Sequence, residues 1–411
     1  MSQYVIIGDG ISGSSAAETL REEDPESEIT VITDEGEPLY NRILIKEHAK
    51  GKLPEAPISI HEEEWYEDRD IELSLNTHVT SIDTDENVVH THEGNDFDYD
   101  KLLVATGGTP TQLPVENSDA DSIHHFWTFQ DARAIRESAQ AADRGVIVGA
   151  GLLGIDFAAV CGAQGVDGKY LMRGDRWWRY ALSGDGAEIM HEGMRDVGVE
   201  PIFDSGVDRF ETDDDGRVTA AVDPNGDRYE CDFAGVAIGL TFNTEFLRGA
   251  GLEQENGIIV DEYMQTSVDD VYAAGDITRF YDVLLGEQAQ NGSWGSAKEQ
   301  GRVAAINMAA DADEEAFEWV SSYSITHFDF PFLSFGHPTL GDEHAERRYS
   351  DTEWRRIAFK DGKIVGGVLI GDLSPQSTFK QLMREQREVA DQAELLLEKS
   401  VNLDELAPTQ S

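Results

Sequence analysis

Tyr4-Val5-Ile6-Ile7 is an apolar run that ends in a glycine turn, Gly8-Asp9-Gly10-Ile11-Ser12-Gly13, and leads into a helix expected over Ser14–Glu22. The same arrangement returns at Gly145-Val146-Ile147-Val148, followed by Gly149-Ala150-Gly151-Leu152-Leu153-Gly154. A glycine turn between a buried strand and a helix lets backbone N–H groups approach a pyrophosphate at the helix N-terminus. Each copy is followed by a further strand-like run, Ile29–Thr33 after the first and Lys169–Met172 after the second. Two such units restrict the chain to an α/β architecture with two doubly wound, three-layer dinucleotide-binding domains, each on a parallel sheet.

The first copy carries the other half of a dinucleotide site. Asp34 and Glu35 close the second strand, about 20 residues beyond the turn, where an acid holds ribose hydroxyls. Segments near 79–106 and 199–239 alternate strands with turn signals such as Asn225-Gly226, and read as the closing sheets of the two domains. Leu102-Leu103-Val104 runs into the small-residue turn Ala105-Thr106-Gly107-Gly108, and Val271-Tyr272-Ala273-Ala274 delivers Gly275 and Asp276. A carboxylate at that point is placed to accept hydrogen bonds from a polyol chain. From about Glu318 the texture changes to aromatic-rich strands over Ser324–Gly336, Trp354–Phe359 and Ile364–Ile370, then a helix expected over about Ser377–Lys399. This is a third, α+β domain. Leu382, Val389, Ala393 and Leu396 give its helix an apolar stripe for core packing, with a homodimer interface as the alternative.

Charge excludes several function classes. The 411 residues carry 81 Asp plus Glu against 32 Lys plus Arg, a formal charge of -49. Such a surface repels phosphate backbones and anionic lipid, so neither nucleic acid nor a membrane surface is an expected partner. Asp156 interrupts the best apolar run, Gly145–Val160, so no segment reaches the ~18 residues that span a bilayer. The N-terminus begins strand-like, without the regions of a signal peptide. A soluble, cytoplasmic protein is expected. Its evenly spread acids resemble those of proteins from salt-in halophiles, where a Debye length of ~3 Å at molar salt screens self-repulsion. Cys161 and Cys231 are far apart, lack metal-ligand spacing and read as core thiols, so no metal is expected.

These landmarks, with Pro38-Leu39-Tyr40-Asn41-Arg42 and Gly239-Leu240-Thr241-Phe242-Asn243, resemble the pyridine nucleotide–disulfide oxidoreductase superfamily. The chain is most similar to the branch with ferredoxin and rubredoxin reductases, apoptosis-inducing factor and the flavin part of assimilatory nitrite reductase. The resemblance implies an FAD domain over residues 1–115 and 243–317, an NAD(P)H domain over 116–242, and a C-terminal interface domain over 318–411. It places Gly8, Gly10, Ile11, Ser12 and Gly13 at the FAD pyrophosphate and Asp34 and Glu35 at the adenosine ribose. Val79 falls where relatives contact adenine through backbone. Arg42 falls at the phosphate or flavin region; Ala105, Thr106 and Gly107 line the pyrophosphate channel. Gly275 and Asp276 meet the ribityl chain, with Trp294 and Ala297 bordering the flavin ring. Gly149, Gly151, Leu152 and Gly154 hold the nicotinamide cofactor, with Gly239 at the return to the FAD domain.

Four departures from the family pattern are visible. Relatives carry Glu where this chain has Asp156, often paired with a lysine near the flavin; Lys46 is the nearest candidate, and an ion pair between the two is expected. After the second strand of the NAD(P)H domain an acid would bind the 2′-hydroxyl of NADH. Here Met172 is followed by Arg173 and Arg176, which suit the 2′-phosphate of NADPH. The alternative is that these arginines neutralise nearby acids, and the adjacent Trp177 and Trp178 either cap the site or pack. Trp127 replaces an arginine common in relatives. Finally, no cysteine lies near Arg42–Leu53, so dithiol chemistry beside the flavin is not expected.

The implied activity is FAD-dependent NAD(P)H oxidation, with electrons passed to a ferredoxin-like or other redox acceptor. Two alternatives remain open at the level of sequence. One is the electron-entry flavoprotein of a nitrite- or sulfite-reducing system, and the other is a non-enzymatic, flavin-bound redox-sensing module. His327 reads as a structural histidine, with a role in protonating an acceptor as the alternative.

Overall fold

Gln3–Ile7 lies at the centre of a five-stranded parallel sheet whose order is Val271–Ala273, Lys101–Val104, Gln3–Ile7, Glu28–Ile32, Ile71–Ser74. Strands flanked on both sides have two buried faces, which is why Tyr4–Ile7 and Leu102–Val104 are apolar without alternation. In this computed structural model, which describes residues 2–310 and 314–406, the sheet belongs to a unit formed by Met1–Asn41, Ala56–Thr109 and Thr241–Ser321. The helix Ile11–Glu23 begins directly at the glycine turn, three residues earlier than the sequence suggested. It packs against the helix Trp294–Ala309 so closely that a Cβ on Gly301 would lie 2.0 Å from the Ser12 carbonyl oxygen. One antiparallel three-stranded sheet over Val79–Asp83, Val88–Thr91 and Asp96–Asp98, and a mixed one over Ile258–Val260, Thr278–Asp282 and Glu287–Ala289, also belong to the unit.

The second unit consists of Arg42–Glu55, Pro110–Leu240 and Ser322–Ser411. Its parallel sheet has the order Val199–Ile202, Asp167–Leu171, Arg144–Val148, Phe233–Val236, Ile123–His124. The same unit contains a five-stranded antiparallel sheet, ordered Ser322–Ile325, Phe332–Gly336, Lys363–Ile370, Glu353–Lys360, Glu343–Ser350. The helix Gly184–Asp196 packs against this sheet through glycines: a Cβ on Gly186 would come within 2.8 Å of the Trp354 ring, and one on Gly193 within 3.0 Å of Phe328 and Phe330.

Two sequence expectations for the C-terminal region are corrected here. The segment Ser324–Gly336 is a hairpin of two strands, and the edge strand Glu343–Ser350 was not anticipated. The single helix over Ser377–Lys399 does not form. A helix spans Gln376–Arg384, after which Gln386 turns left-handed at φ 52°. The chain then returns to the sheet, where the N–H groups of Val389 and Ala390 both donate to the Gly362 carbonyl. Leu382, Val389 and Leu396 are nonetheless all buried, so their apolar spacing reflects packing and not a continuous helix. Among the described residues no helix is long and apolar enough to cross a membrane.

Candidate active site

Each glycine of the first turn has its own steric reason. Gly8 sits at φ 109°, and a Cβ there would lie 2.4 Å from the Ala105 carbonyl oxygen, so the turn and the neighbouring strand end meet through backbone alone. A Cβ on Gly13 would lie 1.9 Å from the Gly8 carbonyl oxygen, because the helix packs onto its own turn. Gly10 differs: its missing side chain faces open space. Among the described residues no side chain caps the helix that follows, and the buried Ser12 hydroxyl has no hydrogen-bond partner. An open glycine, an uncapped helix N-terminus and an unpartnered hydroxyl fit a pyrophosphate.

The residues expected around this turn form two groups. Gly275, at φ 87°, would bring a Cβ to 3.2 Å from Ser12 and 3.9 Å from Ala297, so the first and last elements of this unit converge there. The Gly275 N–H donates to the buried Gln300 amide oxygen, which also accepts from the Thr278 hydroxyl, both at 2.8 Å; this fixes the turn that presents Asp276. Asp34 is exposed after the Glu28–Ile32 strand, and the Glu35 carboxylate accepts from the Tyr40 hydroxyl at 2.6 Å. Thr106 and Gly107 follow the Lys101–Val104 strand, Ile11 and Trp294 are each half-buried as the first residue of their helices, and Val79 is buried at the start of its own strand.

Asp9, within the first turn, is a buried titratable group that the sequence pattern did not single out. Its carboxylate is buried and accepts from the Tyr66 hydroxyl at 2.7 and 2.8 Å to its two oxygens. Burial pushes the Asp9 carboxyl up to about 7, although the hydrogen bond from Tyr66 works in the other direction.

The second turn repeats the steric pattern. Gly149 sits at φ 115° with a would-be Cβ 2.0 Å from the Ala237 carbonyl oxygen, and a Cβ on Gly154 would lie 2.0 Å from the Tyr170 hydroxyl. Gly151 faces open space. The helix Gly154–Gln164 starts after a turn through Leu152 and Leu153. The tryptophans whose role the sequence left open are tied to this turn. The buried Trp177 indole donates to the Gly151 carbonyl at 3.2 Å, and the Trp178 N–H donates to the Ala150 carbonyl at 3.1 Å. The Trp177 N–H in turn donates to His191 Nε2 at 3.1 Å; burial lowers that imidazole to about 4 and keeps the nitrogen free to accept.

Arg173 and Arg176 behave differently. Arg173 is exposed, forms no ion pair among the described residues, and lays its aliphatic stem 3.4 Å from where a Cβ on Gly206 would be. Arg176 donates to the Leu182 carbonyl at 3.0 Å and to Asp175 at 2.6 Å, so part of its fork is already engaged. Arg42 donates to the Trp127 carbonyl at 2.8 Å and places its guanidinium 5.5 Å from that ring's centre. The Gly239 carbonyl accepts from the Thr111 N–H at 2.9 Å.

The expected ion pair is present. Lys46, on the short helix Ile45–Ala49, places its Nζ 2.6 Å from Asp156 Oδ2, and the Asp156 side chain is 1% exposed. The other carboxylate oxygen lies 2.7 Å from His327 Nε2, a partner that nothing in the sequence spacing revealed. Burial alone would raise the Asp156 carboxyl, but the Lys46 ammonium and the His327 ring outweigh it and hold the group below the usual carboxylate range. Burial likewise opposes the Lys46 charge, yet the Asp156 carboxylate prevails and raises that pKa. The Lys46 ammonium also reaches the Tyr323 hydroxyl at 3.3 Å. Among the described residues no cluster of His, Cys, Asp and Glu could hold a metal ion, and both cysteines are buried free thiols.

The chain is similar to known proteins. Residues 325–387 match the C-terminal domain of rubredoxin NAD+ reductase. The chain is 31% identical over 321 residues to putidaredoxin reductase of Pseudomonas putida, covering 77% of this chain and 76% of that protein. It is 25% identical over 397 residues to nitrite reductase [NAD(P)H] of Bacillus subtilis (strain 168), covering 96% of this chain but 48% of the relative. The chain therefore spans about half the length of that curated relative. The crystal structure of a covalent putidaredoxin reductase–putidaredoxin complex superposes with a TM-score of 0.91 at 26% identity, over 98% of this chain and 97% of that one. Residues 2–308 match the pyridine nucleotide-disulphide oxidoreductase family, and the chain belongs to it.

Proposed function

We propose that this chain is an FAD-dependent NAD(P)H oxidoreductase that hands electrons to a separate redox protein of ferredoxin type. One observation carries the reading. Two turns of the same three-glycine geometry each leave the middle glycine open, Gly10 in one unit and Gly151 in the other. When bound, FAD would supply the chemistry by taking a hydride from the nicotinamide and releasing electrons singly. In this reading Gly10, Ser12 and Gly13 hold the FAD pyrophosphate, Asp34 and Glu35 the ribose, and Asp276 the ribityl chain. Gly151, Leu152 and Gly154 hold the nicotinamide dinucleotide, whose turn is braced by Trp177 and Trp178. Asp156 and Lys46 serve the reacting rings, with the ammonium kept charged by its buried carboxylate.

Nucleotide choice follows from the loop after the Asp167–Leu171 strand. Arg173 is open to a 2′-phosphate, whereas Arg176 contributes less because Asp175 and the Leu182 carbonyl already hold it. NADPH is accordingly the preferred donor. A second reading, the electron-entry flavoprotein of a nitrite-reducing system, is favoured by the match to nitrite reductase over 96% of this chain. The uniformly acidic composition suits a cytoplasm of concentrated salt, where an acidic reductase and an acidic partner no longer repel. Anaerobic mixing of the flavin-loaded protein with each nicotinamide tests the principal reading, since a reductase loses its flavin absorbance at once.

A further inference from the structure

The buried ion pair is the inner end of a longer chain of polar groups. His327 Nδ1 lies 3.3 Å from Lys50 Nζ, and Lys50 in turn pairs with Glu47. Lys50 is almost wholly buried, while Glu47 is 33% exposed, so the chain reaches solvent at the carboxylate. The hydrogen bonds have a direction. An ammonium can only donate, so His327 Nδ1 must be the acceptor from Lys50. The ring proton is therefore on Nε2, and it is donated to Asp156 Oδ1 at 2.7 Å. Lys46 faces the other oxygen of the same carboxylate at 2.6 Å. Every proton between Lys50 and Asp156 thus points inward, toward Lys46.

We propose that Lys50, His327 and Asp156 form a proton relay that recharges Lys46 from solvent. This rests on the oxidoreductase reading. Reduction of a flavin by a reduced nicotinamide takes up one proton beside the hydride: NAD(P)H + FAD + H+ gives NAD(P)+ + FADH2. Lys46 supplies that proton. Lys50 then protonates Nδ1 as Nε2–H passes to Asp156, the carboxyl returns a proton to Lys46, and solvent at Glu47 restores Lys50. No bond other than N–H and O–H is made or broken. When electrons leave singly, the same chain runs in reverse and releases the proton.

The test is His327→Gln. A glutamine can accept from Lys50 through its amide oxygen and donate to Asp156 through its amide nitrogen, but it cannot pass a proton. A purely structural role is therefore preserved and a relay is broken. In the flavin-loaded wild type, proton uptake followed with an indicator dye keeps pace with bleaching by NADPH. In the variant, uptake lags bleaching by ~10²-fold or more, with unchanged thermal stability. Uptake that keeps pace with bleaching in the variant overturns the relay.

A second readout does not depend on turnover: nitrogen NMR of histidine-labelled wild type, before any reductant, shows Nε2 protonated toward Asp156 and Nδ1 bare toward Lys50. A proton on Nδ1 in the wild type overturns the relay. If the wild type does not bleach at all, the oxidoreductase reading fails instead.

Discussion

The Lys46 ammonium sits 2.6 Å from the Asp156 carboxylate, out of solvent on the carboxylate side and 16% exposed on the ammonium side. Removing one partner of such a pair leaves the other charge buried and uncompensated. Lys46→Met is expected to destabilise the protein by about 3–5 kcal/mol, read by denaturant titration near neutral pH. Because the folded Asp156 pKa is depressed, its stabilisation is present above the ordinary carboxylate value of about 4 and lost as pH falls through the folded value. The deficit of the variant is therefore largest near neutral pH and shrinks as acid removes the same stabilisation from the wild type. A variant as stable as wild type throughout this range would show that the pair contributes nothing.

The three-glycine turns separate packing from binding. Gly13→Ala and Gly154→Ala force a methyl into occupied space and should lower stability by about 1–3 kcal/mol or more. Gly10→Ala and Gly151→Ala meet no atom within 4 Å, so they should melt like wild type. The first of these is expected to lose bound flavin and the second nicotinamide affinity. Calorimetry with flavin content distinguishes the two classes, and full flavin retention in Gly10→Ala would contradict the assignment.

Asp9 predicts a pH dependence of opposite sign. Its folded pKa of about 7 lies above the unfolded value of 3.8, so between those values the folded state holds a proton that the unfolded state has released. Stability therefore declines as pH rises through that window, by up to roughly 4 kcal/mol. Asp9→Asn removes this component, and comparing the two proteins by denaturant titration at about pH 5 and about pH 8 isolates it. Parallel pH profiles would show that burial does not raise this carboxyl.

Salt tests the meaning of the charge of -49. Screening at molar salt removes most self-repulsion between exposed acids. The melting temperature should climb steeply between low salt and about 2 M KCl. A flat or falling curve would leave the acidity without that explanation.

Much of this was legible in residues whose local pattern is self-contained. Gly8–Gly13 and Gly149–Gly154 announce themselves because strand, turn and helix are contiguous. What escaped depends on contacts between distant segments. His327 meets Asp156 only after the antiparallel sheet has folded against its unit, and no spacing in the chain encodes that approach. Asp9 looked like turn filler because its partner, Tyr66, lies on a separate short helix. The edge strand Glu343–Ser350 was hidden by charge, since one face of an edge strand looks to solvent and carries Glu and Arg as readily as a loop does. The interrupted helix after Arg384 misled because Leu382, Val389 and Leu396 keep helical spacing while packing from separate pieces.

The central claim is that electrons enter from a nicotinamide and reach a flavin bound by the same protein. Anaerobic stopped-flow mixing of the flavin-loaded protein with NADPH, and separately with NADH, tests it most directly. The account predicts flavin bleaching within seconds, faster with NADPH. Flavin absorbance that persists for minutes with both donors would contradict it.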